Sequence, residues 1–321
     1  MADTPVVFVT RNVPDAVEAR LRRGYTPRIN DSDRALSADD IVAGAEGADA
    51  LVVTPPDKVT AEVIDRLPGS VKAIGCFSVG TNHVDLDAAK ARGLVVTNTP
   101  GVLTEATADI AMLLILGATR RAWEGQAMLR GDDWHGWTPT QLMGVELSGK
   151  RLGILGMGRI GQAVARRAEG FGLKVHYHNR RRLSPDEARG ATYHDTPESL
   201  LAVSDILSLH CPATPETQGF LNAERIERLP TDAVVINTSR GDVVDDDALI
   251  AALRSGRLFA AGLDVFVGEP NIHPDYRKLD NAYLLPHLGS ATVETRNAMG
   301  FKVLDNLDAF FAGQEPPDRV A

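Results

Sequence analysis

A guanidinium, a carboxylate and an imidazole stand just past three successive apolar runs late in this chain. Arg240 lies in Asn237-Thr238-Ser239-Arg240-Gly241, Glu269 in Gly268-Glu269-Pro270, and His287 in Leu285-Pro286-His287-Leu288-Gly289. A guanidinium binds a carboxylate bidentately and polarises a carbonyl beside it. An imidazole, with an unperturbed pKa of about 6.5, can give or take a proton near neutrality. A carboxylate next to it favours its charged form and fixes its tautomer. The three types together suit chemistry at a carbonyl next to a carboxylate: a cation for the anion, a proton donor for a developing alkoxide, and a group that tunes the donor. Taken singly, each has a plainer explanation as a surface ion pair, a turn before proline, or a capping histidine. Their shared position downstream of a nucleotide-binding pattern selects the chemical reading.

That pattern is Gly156-Met157-Gly158-Arg159-Ile160-Gly161, preceded by the apolar run Arg151–Leu155 and followed by helical spacing over Gln162–Phe171 and a second strand at Leu173–His178. It is the dinucleotide fingerprint G-x-G-x-x-G between a strand and a helix. Gly156 permits the tight turn, Gly158 lets the backbone approach a pyrophosphate, and Gly161 lets helix pack on strand. The first-turn amides and the positive end of the helix dipole then hold the phosphates.

A site selective for NAD places an acidic residue about 20 residues on, bonded to the ribose 2′-hydroxyl. Here the second strand ends in Asn179-Arg180-Arg181-Arg182. No carboxylate stands there to repel a 2′-phosphate, and guanidinium groups pair with phosphate bidentately. The turn predicts NADPH in preference to NADH.

Composition narrows the setting. A chain of 321 residues has length for two domains. A net charge of −9 argues against a nucleic-acid surface, which needs a basic field. Cys76 and Cys211 are far apart and form no CxxC, so neither a disulfide framework nor a zinc knuckle is expected. None of the histidines has metal-ligand spacing with carboxylates, and no metal is expected. The longest apolar run, Ala111–Ala118, is too short to span a bilayer. Met1-Ala2-Asp3-Thr4 has no basic n-region, so a cytoplasmic protein is expected.

Strands are expected at Pro5–Thr10, Ala50–Thr54, Val71–Phe77 and Leu94–Asn98, with helices at Pro14–Arg22 (capped by Asn12), Ser37–Ala45, Thr60–Leu67 and Leu86–Ala91. Alternation of this kind predicts a parallel sheet with βαβ crossovers. Thr104–Arg121 reads as one long helix, too apolar for a lone surface helix and so expected between domains or subunits. Gly131–Gly144 is a loop carrying Trp134, Trp137 and Met143, a candidate interface arm. A second βα series follows, with strands at Asp205–His210, Ala233–Asn237, Arg257–Asp264 and Ala282–Leu285 and helices at Pro197–Ala202, Ala223–Leu229 and Asp246–Ser255; Ala291–Phe311 is a last helix, ended near Gly313. The stretch Phe77-Ser78-Val79-Gly80-Thr81-Asn82, after a strand, is a candidate anion nest.

The chain resembles the D-isomer-specific 2-hydroxyacid dehydrogenases over nearly its whole length. The matching segments are Ser78–Asp85, Gly101–Asp109, Leu155–Gln162, His210–Thr217, Asn237–Asp242, Gly262–Phe266 through Glu269-Pro270, and Leu285–Thr292. Within that family it is similar to the glyoxylate/hydroxypyruvate reductase branch. Many relatives carry Asn-x-x-Ser-Val-Ala-Glu where this chain has Thr104–Asp109, and no regulatory segment follows Ala321, which speaks against the phosphoglycerate branch.

The resemblance implies two Rossmann-like doubly wound parallel-sheet α/β domains. Residues 1–99 and 287–321 would form the substrate domain, with the cofactor domain, 100–286, inserted into it and 104–145 as the helix and arm of a homodimer. Catalysis would occur between the domains. Arg240, Glu269 and His287 would be catalytic. Val79, Gly80, Leu103, Trp137 and Arg240 would meet substrate. The cofactor would be lined by Thr107, the 156–161 turn, Asn179, Arg180, Arg181, Cys211, Pro212, Thr217, Thr238, Ser239, Arg240, Asp264, His287, Gly289 and Ser290. The expected reaction is NADPH-dependent reduction of a small 2-keto acid, glyoxylate or hydroxypyruvate, to glycolate or D-glycerate. Other 2-keto acids, such as 2-ketogluconate or phenylpyruvate, fit the same residues. So does a dinucleotide-sensing binding protein, because corepressors of the same family can keep the catalytic trio.

Overall fold

The structure is a computed structural model that describes residues 4–321. It divides into two compact units, Met1–Leu103 with Ala291–Ala321, and Thr104–Ser290.

The first unit holds β1 (Val6–Val9), β2 (Thr26–Ile29), β3 (Ala50–Val53), β4 (Ala73–Cys76) and β5 (Val95–Thr97), all parallel, in the order β2-β1-β3-β4-β5. The two central strands β3 and β4 are buried at every residue. Such strands read as continuous apolar runs because helices cover both faces of a parallel sheet. The sequence reading passes over β2, Thr26-Pro27-Arg28-Ile29. It is an edge strand with alternating exposure, polar enough to lack an apolar signal, and an edge is where a strand tolerates proline. Asn12 is not a helix cap. The helix Asp15–Gly24 starts after Pro14 with no side-chain cap, and the Asn12 amide donates to Asp33 instead. The C-terminal helix, Val293–Phe311, is capped by Thr292 and packs Met299, Val303, Leu304 and Leu307 against Val7, Val52 and Ala73 of this sheet.

The second unit holds β6 (Arg151–Leu155), β7 (Lys174–His178), β8 (Thr192–Tyr193), β9 (Ile206–Leu209), β10 (Ala233–Asn237), β11 (Leu258–Leu263) and β12 (Ala282–Leu284), again all parallel, in the order β12-β11-β10-β9-β6-β7-β8. The strand order reverses between β6 and β9. Open α/β sheets bind ligands outside the carboxyl ends of the strands at this kind of switch point. Both sheets are thus doubly wound and Rossmann-like.

The long helix runs Thr104–Thr119, and Arg121 (φ 52°) breaks it from a second helix, Ala122–Arg130. Its apolar surface is buried against its own unit: Ala111, Leu114 and Ile115 pack with Leu152, Ile154, Ile236 and Ala260. That differs from the expected burial between domains or subunits; the helix covers one face of the sheet. Leu113 alone of its large apolar side chains stays exposed. Among the described residues no helix is long and apolar enough to cross a membrane.

The unit boundaries fall at Leu103/Thr104 and Ser290/Ala291, not at 99/100 and 286/287. His287 therefore belongs to the second unit, with the sheet that carries Arg240 and Glu269. The reason is local. Leu288 and Gly289 donate their amides to Asp264, just past β11, and the Thr107 hydroxyl donates to the Gly289 carbonyl.

Candidate active site

The exits of β10, β11 and β12, three neighbouring strands, carry the three expected catalytic side chains. Past β10, buried Asn237 shapes the loop: its side-chain oxygen accepts from the Ser239 amide (2.9 Å) and hydroxyl (2.8 Å), and its amide donates to the Arg240 carbonyl (2.9 Å). Gly241 then lies so close to the backbone of Phe266 and Val267 that a Cβ there would sit 1.9 Å from the Phe266 carbonyl carbon. This contact brings the loop of Arg240 against the loop of Glu269, and any side chain at Gly241 would force them apart. Burial pushes the Arg240 guanidinium below its ordinary pKa, against the opposing charges of Glu269 and Asp242.

Glu269 accepts from the Phe266 amide through Oε1 (2.8 Å), and its Oε2 lies 2.7 Å from Nδ1 of His287. Burial alone raises the Glu269 carboxyl. His287, the Phe266 amide and the Arg240 charge outweigh it and hold the group below its usual value. The carboxylate is thus ionised beside the imidazole, the state that fixes a histidine tautomer.

His287 sits at φ 57°, a left-handed conformation a non-glycine residue rarely takes. The turn is held there by Asp264, which accepts the Leu288 and Gly289 amides at 2.6 and 2.8 Å, and by Thr107, which bonds the Gly289 carbonyl at 3.0 Å. Asp264 is buried, and burial pushes its carboxyl above the ordinary value, against the pull of the two amides and His287. Thr107, Asp264 and Gly289, all expected on the cofactor side, are therefore one hydrogen-bonded group.

The glycine turn stands at the end of β6. Gly156 has φ 94°, and a Cβ there would lie 2.7 Å from the Cys211 nitrogen and 2.8 Å from the His210 carbonyl carbon, backbone of the β9 exit. A Cβ on Gly161 would meet the Gly156 carbonyl at 2.7 Å. Gly158 differs: nothing lies within 4 Å of its Cβ position. Open space beside Gly158 at the N-terminus of the helix Arg159–Glu169, whose first amides have no intrahelical acceptor, fits the approach of a dinucleotide pyrophosphate. Asn179 ties the end of β7 to this turn; its Oδ1 accepts the Met157 amide at 2.6 Å and its Nδ2 donates to the Met157 carbonyl at 3.3 Å. Arg180, Arg181 and Arg182 are exposed.

Cys211 and Pro212 follow β9, and the Pro212 carbonyl accepts from the Thr217 hydroxyl at 2.6 Å. Thr238 lies 3.3 Å from Nδ1 of His210, whose Nε2 meets the Ser208 hydroxyl at 2.8 Å. Desolvation by burial lowers His210 to about 4, so it is neutral at physiological pH. Burial likewise pushes the free thiols Cys76 and Cys211 up to about 12 and about 11.

Val79, Gly80 and Leu103 lie in the first unit. There the Val79 carbonyl accepts from Asn98 and the Gly80 carbonyl from Ser78, both at 2.7 Å, which turns both carbonyls to protein partners. Leu103, half-buried, packs against the apolar cluster that includes Phe77. Trp137 is 78% exposed on the segment after Ala122–Arg130. Asn237 escaped the sequence reading as a site-shaping residue. Its signal was a polar residue ending an otherwise apolar strand.

Residues 112–289 match the family model described as D-isomer specific 2-hydroxyacid dehydrogenase, NAD binding domain. A glycerate dehydrogenase of Hyphomicrobium methylovorum is 47% identical over 96% of this chain and 97% of its own. A glyoxylate reductase of Thermococcus litoralis is 43% identical over 98% and 96%. The structure of an NADPH-dependent glyoxylate/hydroxypyruvate reductase from Sinorhizobium meliloti, in complex with NADP and malonate, superposes with a TM-score of 0.88 at 37% identity, covering 99% of this chain and 97% of that one. With the dinucleotide turn and the Arg, Glu and His at adjoining strand ends already in place, these likenesses show that the chain belongs to the D-isomer-specific 2-hydroxyacid dehydrogenase family.

Proposed function

We propose that this enzyme reduces a small 2-keto acid, glyoxylate or hydroxypyruvate, to the 2-hydroxy acid with NADPH. The observation that carries the reading is the 2.7 Å pair of His287 Nδ1 and Glu269 Oε2, with Arg240 electrostatically coupled to Glu269. The names of the relatives agree with it: glycerate dehydrogenase, glyoxylate reductase, and a reductase of glyoxylate and hydroxypyruvate.

The dinucleotide would be held by the 156–161 turn and, at its nicotinamide end, by the group of Thr107, Asp264 and Gly289 with Ser290 next in sequence, and by Thr238 and Ser239 past β10. When bound, the reduced nicotinamide supplies the hydride. The chain's own part is electrostatic and positional. Arg240 binds the substrate carboxylate and draws electron density from the adjacent carbonyl. His287, with Nδ1 engaged by Glu269, delivers a proton from Nε2 to the carbonyl oxygen as it gains charge. Glu269 stabilises the imidazolium before transfer and keeps the ring oriented after it. Val79 and Gly80 are proposed as further amide donors to the carboxylate, and Leu103 and Trp137 as side chains that select the substrate.

NADPH preference rests on Arg180 and Arg181 and on the absence of an acidic residue at 179–182. A homodimer is proposed from the exposed apolar side chains gathered on 123–143: Trp123, Leu129, Trp134, Trp137 and Met143. Sedimentation would test it. The two buried free thiols suit a reducing compartment, and the cytoplasm is the proposed setting.

The decisive assay follows cofactor oxidation with glyoxylate and with hydroxypyruvate, first with NADPH and then with NADH. Turnover with NADPH well above NADH supports both parts of the proposal. Equal rates would keep the chemistry and overturn the cofactor preference. No turnover with either acid, while the cofactor binds, would overturn the substrate assignment.

A further inference from the structure

The two-residue strand β8 and its neighbour β7 put two tyrosines side by side: Tyr177 and Tyr193 are register partners with ring centroids 5.3 Å apart. Their hydroxyls do different things, and both act on one turn. The Tyr193 hydroxyl donates to the Asn179 carbonyl at 3.3 Å. The Tyr177 hydroxyl, buried, accepts the Leu183 amide at 3.2 Å. The turn 179–183 is thereby fastened at its first and last residues. The Tyr193 ring also lies 5.4 Å from the Arg182 guanidinium carbon, a cation–π distance. Of the three arginines, Arg182 is thus engaged by the protein, and Arg180 and Arg181, both exposed, make no ion pair among the described residues.

A third fastening links this turn to the cofactor's phosphates. Asn179, whose carbonyl Tyr193 holds, clasps Met157 of the glycine turn through its side chain. One short path, Tyr193–Asn179–Met157, thus connects the basic turn to the pyrophosphate cradle. The separation of cradle and turn must match the distance from pyrophosphate to ribose 2′-position within one ligand, so fixing it has a direct consequence for which dinucleotide fits.

We propose that Tyr193, with Tyr177, is a positioning residue for cofactor selection: the pair presets the backbone of the turn so that Arg180 and Arg181 are carried at the place where a 2′-phosphate would lie. The inference rests on the NADPH reading above. Fixing the backbone that carries the two arginines lowers the entropy lost when they engage a ligand. NADH makes no use of the two guanidinium groups, so loosening the turn should weaken NADPH and spare NADH. A tyrosine pair serving only the core would affect both cofactors alike.

The test uses the full-length protein and steady-state kinetics with glyoxylate, with 2′,5′-ADP and AMP as competitive probes that report the 2′-phosphate apart from the nicotinamide. The reference is the double variant Arg180→Ala/Arg181→Ala, expected to raise KM for NADPH by about tenfold or more, the size of a lost charge-assisted contact. Tyr193→Ala is expected to raise KM for NADPH and Ki for 2′,5′-ADP by about fivefold, with KM for NADH and Ki for AMP moved less than about twofold. Tyr193→Phe and Tyr177→Phe, which keep the rings and remove one hydroxyl each, should shift the NADPH-to-NADH ratio in the same direction by a smaller factor. If the arginine variant separates the cofactors but the tyrosine variants leave the ratio unchanged, the tyrosine inference is wrong and the NADPH reading stands. If the arginine variant leaves the ratio unchanged, the NADPH reading fails and this inference fails with it. Should Tyr193→Ala not fold, the two phenylalanine variants decide.

Discussion

Nδ1 of His287 lies 2.7 Å from Oε2 of Glu269, and both are fixed from behind, Glu269 by the Phe266 amide and His287 by the Asp264-bound turn. In the proposed mechanism, with Nδ1 committed, Nε2 would be the nitrogen that exchanges a proton with substrate. His287→Gln keeps a polar side chain but cannot carry the proton, and kcat should fall by about 10²–10⁴-fold. Cofactor affinity, read by quenching of protein fluorescence, should stay within about threefold, since acid catalysis contributes to the transition state and not to dinucleotide binding. Undiminished kcat would show that another group donates the proton.

Asp264 holds His287 in place through the backbone of its turn. Replacing it with alanine leaves the Leu288 and Gly289 amides without their buried acceptor, at a cost of about 1–3 kcal/mol for each unsatisfied group. His287 would be free to leave φ 57°. Asp264→Ala should therefore lower both the melting temperature and kcat. A variant with wild-type kcat would mean that the turn holds its shape without the carboxylate.

Arg240 is a half-buried guanidinium under the charge of Glu269 and Asp242. Lysine offers a point charge in place of a planar fork, so Arg240→Lys should not be a mild change. We expect kcat/KM for glyoxylate to drop at least about 100-fold, near 3 kcal/mol of transition-state binding. A loss under about threefold would remove Arg240 from substrate recognition.

Two glycines of one motif should fail in different ways. Gly156→Ala puts a Cβ into the backbone of His210 and Cys211 at positive φ, so the loss should appear as instability. Gly158→Ala meets no protein atom within 4 Å, so the melting temperature should hold while cofactor affinity falls. The pair is read by thermal unfolding beside a dinucleotide titration. Unimpaired binding in Gly158→Ala would place the pyrophosphate elsewhere.

His210 makes stability pH-dependent. Its pKa is about 4 in the folded chain, against about 6.5 unfolded. The unfolded state therefore takes up the proton first as pH falls. Stability from this group is complete above about pH 6.5 and declines toward pH 4, by about 2 kcal/mol between pH 7 and pH 5. Urea unfolding at both pH values should show a shallower decline in His210→Gln. Identical slopes in the two proteins would rule out His210 as the source.

Much of this molecule could be read from residue order. The apolar runs of β3, β4, β9 and β10 are buried at every residue, and a strand covered on both faces announces itself in one dimension. The glycine spacing located the dinucleotide turn for the same kind of reason: its constraints are backbone conformation and close approach between near neighbours. Ser37, Thr60 and Asp245 cap their helices by accepting amides three residues away. Edge strands β2 and β8 were not legible, because half-exposed, polar strands of a few residues carry little apolar periodicity.

By itself, then, the sequence pointed to parallel βα units, the glycine turn and Arg240, Glu269 and His287 as strand-end candidates, all matters of local pattern, while its family resemblance implied the doubly wound class. Only the tertiary structure decided that His287 belongs with the second unit and that its ring meets Glu269. It alone showed that Asn179 clasps Met157 and that two tyrosines hold the basic turn. These pairings join residues up to 22 positions apart through side-chain bonds of about 3 Å. Whether such bonds form depends on strand neighbours and loop contacts, such as Gly241 against Phe266, that no spacing along the chain encodes.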